Sequence, residues 1–91
     1  MADYRIEFVK SAQKEFDKLP KNIQSKTLDA LHVLSRNPYS ELRRVKRLKG
    51  SQALYRIRIG DYRIVYDVRS DVLVILVIKI GHRSDVYRRL S

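Results

Sequence analysis

Three arginines, Arg56, Arg58 and Arg63, alternate with apolar residues on either side of Gly60-Asp61, and that spacing gathers cations where an anion could be held. The runs Tyr55-Arg56-Ile57-Arg58-Ile59 and Tyr62-Arg63-Ile64-Val65-Tyr66-Asp67-Val68 alternate with the period of half-buried strands. Gly-Asp between them predicts a two-residue hairpin loop, which sets Ile59 opposite Tyr62, Arg58 opposite Arg63 and Ile57 opposite Ile64. One face is then apolar and aromatic, the other arginine. Like charges directly opposite each other cost up to about 1 kcal/mol, and a bound polyanion would turn that repulsion into complementarity. Arginine keeps its charge and presents two parallel donors to phosphate oxygens, so RNA is the ligand expected. The same constancy makes it a poor proton shuttle, which leaves His82 and Tyr87 for acid/base work. RNA would bring its own nucleophile, the 2′-hydroxyl, while fixed cations stabilise the charge developing at phosphorus.

The elements that must position these groups follow from the rest of the chain. Tyr4 to Val9 alternates as a first strand, and Ser11 is expected to cap a short helix with Ala12, Phe16 and Leu19 on one side. Pro20 separates it from a longer helix, Lys21 to Ser35, with Ile23, Leu28, Leu31 and Leu34 as its apolar stripe, and Asn37-Pro38 ends that helix. Tyr39 to Lys49 is a basic connection with room for a short strand around Val45 to Leu48, and Gly50-Ser51-Gln52 turns the chain into the hairpin. Val72 to Ile80 is almost continuously Val, Ile and Leu, as in a central strand covered on both faces. Ser84 is placed to cap a last helix, Asp85 to Leu90. The order is strand, two helices, three strands and a short helix. It describes one α+β domain over residues 1–91, with the helices packed on a mainly antiparallel sheet.

Composition narrows the chemistry. The chain has 91 residues, no cysteine and a net charge of +10. Residues 1–42 hold 7 Lys+Arg against 6 Asp+Glu, and residues 43–91 hold 13 against 4, so the two parts carry +1 and +9. A half so basic attracts phosphate backbones. Without cysteine there is no thiolate metal site and no thiol nucleophile, and His82 with Asp85 is too small a set for a metal ion. The three glycines, Gly50, Gly60 and Gly81, are isolated turn residues and form no phosphate loop, so neither metal nor nucleotide cofactor is expected. The longest apolar run, Val72 to Ile78, is too short to span a bilayer, and a cytoplasmic protein without membrane contact is expected.

Leu48-Lys49-Gly50, then YRIRIGDYRIVYDV, then VIKIGHRSDVY, together resemble the RelE/ParE toxin superfamily of toxin–antitoxin modules, and length and element order agree over essentially the whole chain. The superfamily includes messenger RNA endonucleases that act on the ribosome and poisons of DNA gyrase. Its RelE branch implies metal-independent cleavage in the ribosomal A site by attack of the 2′-hydroxyl on the adjacent phosphate. On this resemblance Arg56, Arg58, Arg63, Arg83 and Tyr87 occupy catalytic positions. The best-known RelE enzyme has lysine where this chain has Arg56 and Arg58, and that departure makes His82 the better candidate for proton transfer. Lys46, Arg47 and Lys49, with Arg43 and Arg44, are expected to hold RNA or ribosome through backbone phosphates. The resemblance also implies a cognate antitoxin in a hetero-oligomeric complex, and an acidic, amphipathic segment would suit the basic surface. A gyrase-poisoning relative of ParE and a catalytically silent RNA-binding module are the alternatives. For the arginines the plain reading is a solvated sheet face next to Asp67; for His82, a loop residue; for Tyr87, helix packing.

Overall fold

A computed structural model describes residues 3–38 and 54–83, together with the backbone of residues 45–47. Five strands form one sheet in the order β1-β5-β4-β3-β2, where β1 is Arg5–Phe8, β2 Val45–Arg47, β3 Leu54–Ile59, β4 Tyr62–Arg69 and β5 Val74–His82. Every neighbouring pair is antiparallel except β1 and β5, which run parallel with Ile6 beside Ile75 and Phe8 beside Val77. Two helices, α1 (Lys10–Asp17) and α2 (Lys21–Arg36), connect β1 to the rest. The expected α+β architecture is the one found. The last helix expected from the sequence, and the turn at Gly50-Ser51-Gln52, lie outside the described residues.

The core forms where the apolar face of the sheet meets the helices. Ile57, Ile59, Ile64, Tyr66, Ile75, Val77 and Ile80 pack with Ala12, Ala30, Leu31 and Leu34. Burying a side chain of this size contributes roughly 1.5–3 kcal/mol. The stripe of α2 is rotated from the expected one: Thr27 is fully buried, whereas Leu28 is 50% exposed. The helix–sheet contact selects the row Thr27, Ala30, Leu31, Leu34, and small or medium side chains allow the close approach. The first helix begins one residue before Ser11, with Val9 as its N-cap and no side-chain capping bond, so Ser11 lies inside the first turn. At the other end of α1, Gln24 Nε2 donates to the Phe16 carbonyl (2.9 Å), satisfying a helix-end acceptor from the following helix. Pro38 is buried just past the end of α2.

Two irregularities shape β5. Val72 and Leu73, expected within the strand, belong to the turn before it and are 54% and 36% exposed. Leu73 has φ 55°, a left-handed conformation unusual for a branched side chain. Further along, the register with β4 jumps from Val65–Lys79 to Tyr66–Val77, so Ile78 is the extra residue of a β-bulge. Strict alternation from Ile75 and Val77 would put Lys79 into the core; the bulge puts Ile80 there instead. Among the described residues, no helix is long and apolar enough to cross a membrane.

Candidate RNA-binding and cleavage site

The hairpin register is the predicted one: Ile59 faces Tyr62, Arg58 faces Arg63 and Ile57 faces Ile64. Gly60 has φ 59° and Asp61 is not left-handed, the pattern of a type II′ turn with glycine first. Arg58 and Arg63 are therefore direct cross-strand neighbours. With Arg83 they line an open depression of about 500 Å³ at the turn, which Gly60 and Asp61 complete. Three fixed cations and one carboxylate give it a net positive charge.

The arginines differ in their settings. Arg58 and Arg83 are exposed, whereas Arg63 is only 9% exposed. The Arg63 guanidinium curls back on the turn, and its Nη1 donates to the carbonyls of Gly60 (3.2 Å) and Tyr62 (3.1 Å). That differs from the expected open arginine face, and Val65 on the same side of β4 is fully buried. Asp67, the acid expected to quiet this face, pairs with Arg69 instead (3.0 Å). Among the described residues no salt bridge to Arg58, Arg63 or Arg83 is formed. Arg56 stands on the same side of β3 two positions from Arg58, half-buried, in register with Lys46 of β2. It does not line the depression.

His82 ends β5 and is exposed. Its register partner is Tyr62, and Gly81 is the partner of Arg63, so His82 belongs by register to the face opposite the arginines. The Tyr62 and His82 rings meet edge to face with centroids 6.0 Å apart. Arg83 follows at once, and its backbone N–H donates to the Asp61 carbonyl (2.8 Å), which ties the end of β5 to the hairpin turn. On the helix side of the same rim lies a second cleft, lined by Glu15, Lys18, Leu19, Tyr62, Lys79, Ile80 and Gly81. Tyr55 and Tyr66 stack in the core-side layer (5.8 Å, 22°), as their alternation implied.

Of the residues predicted from sequence, the structure brings together Arg58, Arg63 and Arg83, places Arg56 beside them and His82 across the rim. Tyr87, Arg43, Arg44 and Lys49 lie outside the described residues. Lys46 and Arg47 form β2, on the edge of the sheet next to Arg56 and Tyr55. The Asp61 carbonyl, Glu15 and Lys79 were not anticipated. Asp61 read only as a turn residue, and nothing in the local spacing links Glu15 to β5.

The chain matches, over residues 6–87, the family described as ParE toxin of type II toxin-antitoxin system. It is 32% identical to toxin RelG of Mycobacterium tuberculosis over 88 residues, 94% of this chain and 98% of that protein. The chain belongs to the RelE/ParE toxin superfamily. Toxins of this superfamily from other organisms agree: the chain is 31% identical to the mRNA interferase toxin RelE of Escherichia coli, over 92% of this chain and 90% of that one. The toxin in the RelE-RelB complex of Pyrococcus horikoshii superposes with a TM-score of 0.76 at 32% identity, covering 89% of this chain and 96% of that one. The chain is thus a RelE-type toxin in sequence and in fold.

Proposed function

We propose that this toxin is a ribosome-dependent endoribonuclease that cuts messenger RNA in the A site, by attack of a 2′-hydroxyl on the adjacent phosphate. The observation that carries the proposal is the convergence of Arg58, Arg63 and Arg83 on one open depression at the hairpin turn. A scissile phosphate seated there gains negative charge as the 2′-oxygen attacks, and cations already held in place stabilise that charge without reorganising. Arg63, pinned by two carbonyls, supplies a fixed field and braces the turn. Arg58 and Arg83 are the exposed donors that meet the phosphate oxygens. Arg56 extends the positive strip along β3 for a neighbouring phosphate, with Lys46, Arg43, Arg44, Arg47 and Lys49 as further backbone contacts. Proton transfer belongs to His82 at the rim or to Tyr87, and no step calls for a metal ion or cofactor. The protein works in the cytoplasm, where ribosomes are, and is held inactive by a cognate antitoxin, as the RelE-RelB complex of the archaeal relative suggests.

The test is a defined translation reaction in which messenger RNA ends are mapped, with ribosome-free RNA alongside. Cuts at A-site codons that require ribosomes are expected. Arg58→Ala and Arg83→Ala should each slow cleavage by about 100-fold or more. A folded Arg58→Ala/Arg63→Ala double variant that still cuts at full rate would refute the assignment. His82→Ala and Tyr87→Phe, measured separately across pH, identify the proton-transfer group. The match to a family described as ParE favours one second reading, a gyrase poison. DNA double-strand breaks with intact messenger RNA would select it.

A further inference from the structure

We infer that Glu15, in the last turn of α1, is a positioning residue that sets the end of β5 and with it His82 and Arg83. Strand β1 covers one edge of β5 only as far as Val77: the pairing ends at Phe8–Val77, with a last bond from Val9 N–H to the Val77 carbonyl (3.0 Å). Beyond Val77 the strand bulges at Ile78 and runs on to His82, and among the described residues no strand pairs with it on that side. The first N–H turned toward the open edge after the bulge is that of Ile80, and Glu15 Oε1 accepts from it at 3.0 Å. The other carboxylate oxygen pairs with Lys79, the residue displaced from the core by the bulge. Both side chains of the pair are largely buried, 14% and 20% exposed, so the pair is shielded from solvent.

On its other edge β5 is held by the bond from Arg83 N–H to the Asp61 carbonyl (2.8 Å). The segment from Ile80 to Arg83 is therefore pinned from both sides, by a helix carboxylate and by the hairpin turn. Among the described residues a side chain does here what a neighbouring strand would do, because a half-buried N–H left without an acceptor is costly and an open edge lets the strand end move. Misplacing a catalytic group by about 1 Å costs up to roughly 100-fold in rate. Glu15 does not line the arginine depression, and its bond to the Ile80 N–H carries its effect through the backbone of β5.

The kinetic part of the test rests on the cleavage reading above; the spectroscopic part does not. Glu15→Ala, Glu15→Gln and Glu15→Asp are made in the full chain, with Gln24→Ala as a control that loosens the same end of α1, by removing the ties to the Phe16 and Asp17 carbonyls, without touching the bond to β5. Amide resonances of Ile80, His82 and Arg83 and the His82 ring resonances are recorded by NMR. Single-turnover cleavage on ribosomes is followed as toxin concentration is raised, which separates rate from affinity. Glu15→Ala is expected to displace all of these resonances and lower the saturating rate by about tenfold or more, with the half-saturating concentration unchanged. Glu15→Gln keeps an acceptor oxygen and recovers most of the loss. Gln24→Ala lowers the melting temperature without moving the His82 resonances or the rate. Glu15→Asp, one methylene shorter with the charge kept, shifts the same resonances and decides the matter should Glu15→Ala not fold. Unmoved His82 and Arg83 resonances in Glu15→Ala or Glu15→Asp would overturn the inference. So would a rate loss no greater than that of Gln24→Ala at the same melting temperature. If the unmutated toxin leaves ribosome-bound message intact, the cleavage reading fails, and the resonances alone settle the role of Glu15.

Discussion

Tyr66 sits fully buried on β4, and among the described residues its hydroxyl has no hydrogen-bond partner. Burial pushes its pKa far above the usual value near 10, and the neighbouring Tyr55 adds to the rise. The phenol is thus held neutral in the folded protein, while the unfolded chain ionises it at the ordinary pH. The contribution to stability is complete below about pH 10 and falls by about 1.4 kcal/mol per pH unit above it. Tyr66→Phe removes an unsatisfied hydroxyl and keeps the ring stacked on Tyr55. It should be more stable by about 1 kcal/mol at neutral pH, with a flatter decline above pH 10, as read by urea unfolding at a series of pH values. Thr27, whose buried hydroxyl is also unpartnered, has no comparable titration to report on. Arg63 is the converse case, a buried cation whose Nη1 is provided with two carbonyl acceptors, and truncating it removes a brace of the turn together with a charge.

Among the elements, the turns at the two ends of β4 differ in how well their residues suit them. Gly60 accepts φ 59° without strain, and a Cβ there would meet no atom, so the need for glycine is conformational and not one of space. At the turn into β5, Leu73 takes φ 55° with a side chain attached. Its carbonyl accepts from the Arg5 N–H at 2.8 Å, which starts the parallel pairing of β1 and β5 and holds the residue in place. A left-handed residue other than glycine costs roughly 1–2 kcal/mol, of which the looser unfolded chain of a glycine variant returns part. Leu73→Gly is therefore expected to raise stability by about 0.5–1 kcal/mol, and Gly60→Ala to lower it by about 1–2 kcal/mol, in chemical denaturation. A Leu73→Gly variant less stable than the parent would mean that the half-exposed leucine side chain contributes packing that outweighs the strain.

For the molecule as a whole, the charge of +10 is divided by residue number as +1 and +9, and the sheet brings three arginines of the second part, Arg58, Arg63 and Arg83, together at its hairpin end. Binding through phosphates releases counterions, so affinity for ribosomes or single-stranded RNA should fall linearly in log–log form as salt rises, by about 0.7 per phosphate neutralised. Arg58→Ala should lessen that slope by about 0.7, whereas Lys26→Ala, an exposed cation on α2 away from the depression, should leave it unchanged. Equal slopes for the parent and Arg58→Ala would remove Arg58 from the phosphate contacts.

Period-2 alternation and the Gly60-Asp61 pair were enough to determine the hairpin and its register, because strand pleat and turn geometry are properties of the local chain. The same locality made the two helices legible, and the arginine pair Arg58–Arg63 with them. Burial was not local. Sequence spacing left Leu28 in the core and Arg63 in solvent, and the helix–sheet contact and the turn carbonyls reversed both. The bulge at Ile78, the side of the rim on which His82 falls, and the use of Glu15 to finish the edge of β5 depend on where β1 stops beside a strand some seventy residues away. A residue pattern carries its own period, but which N–H lacks a partner, and which side chain arrives to satisfy it, is decided only when distant elements are packed together.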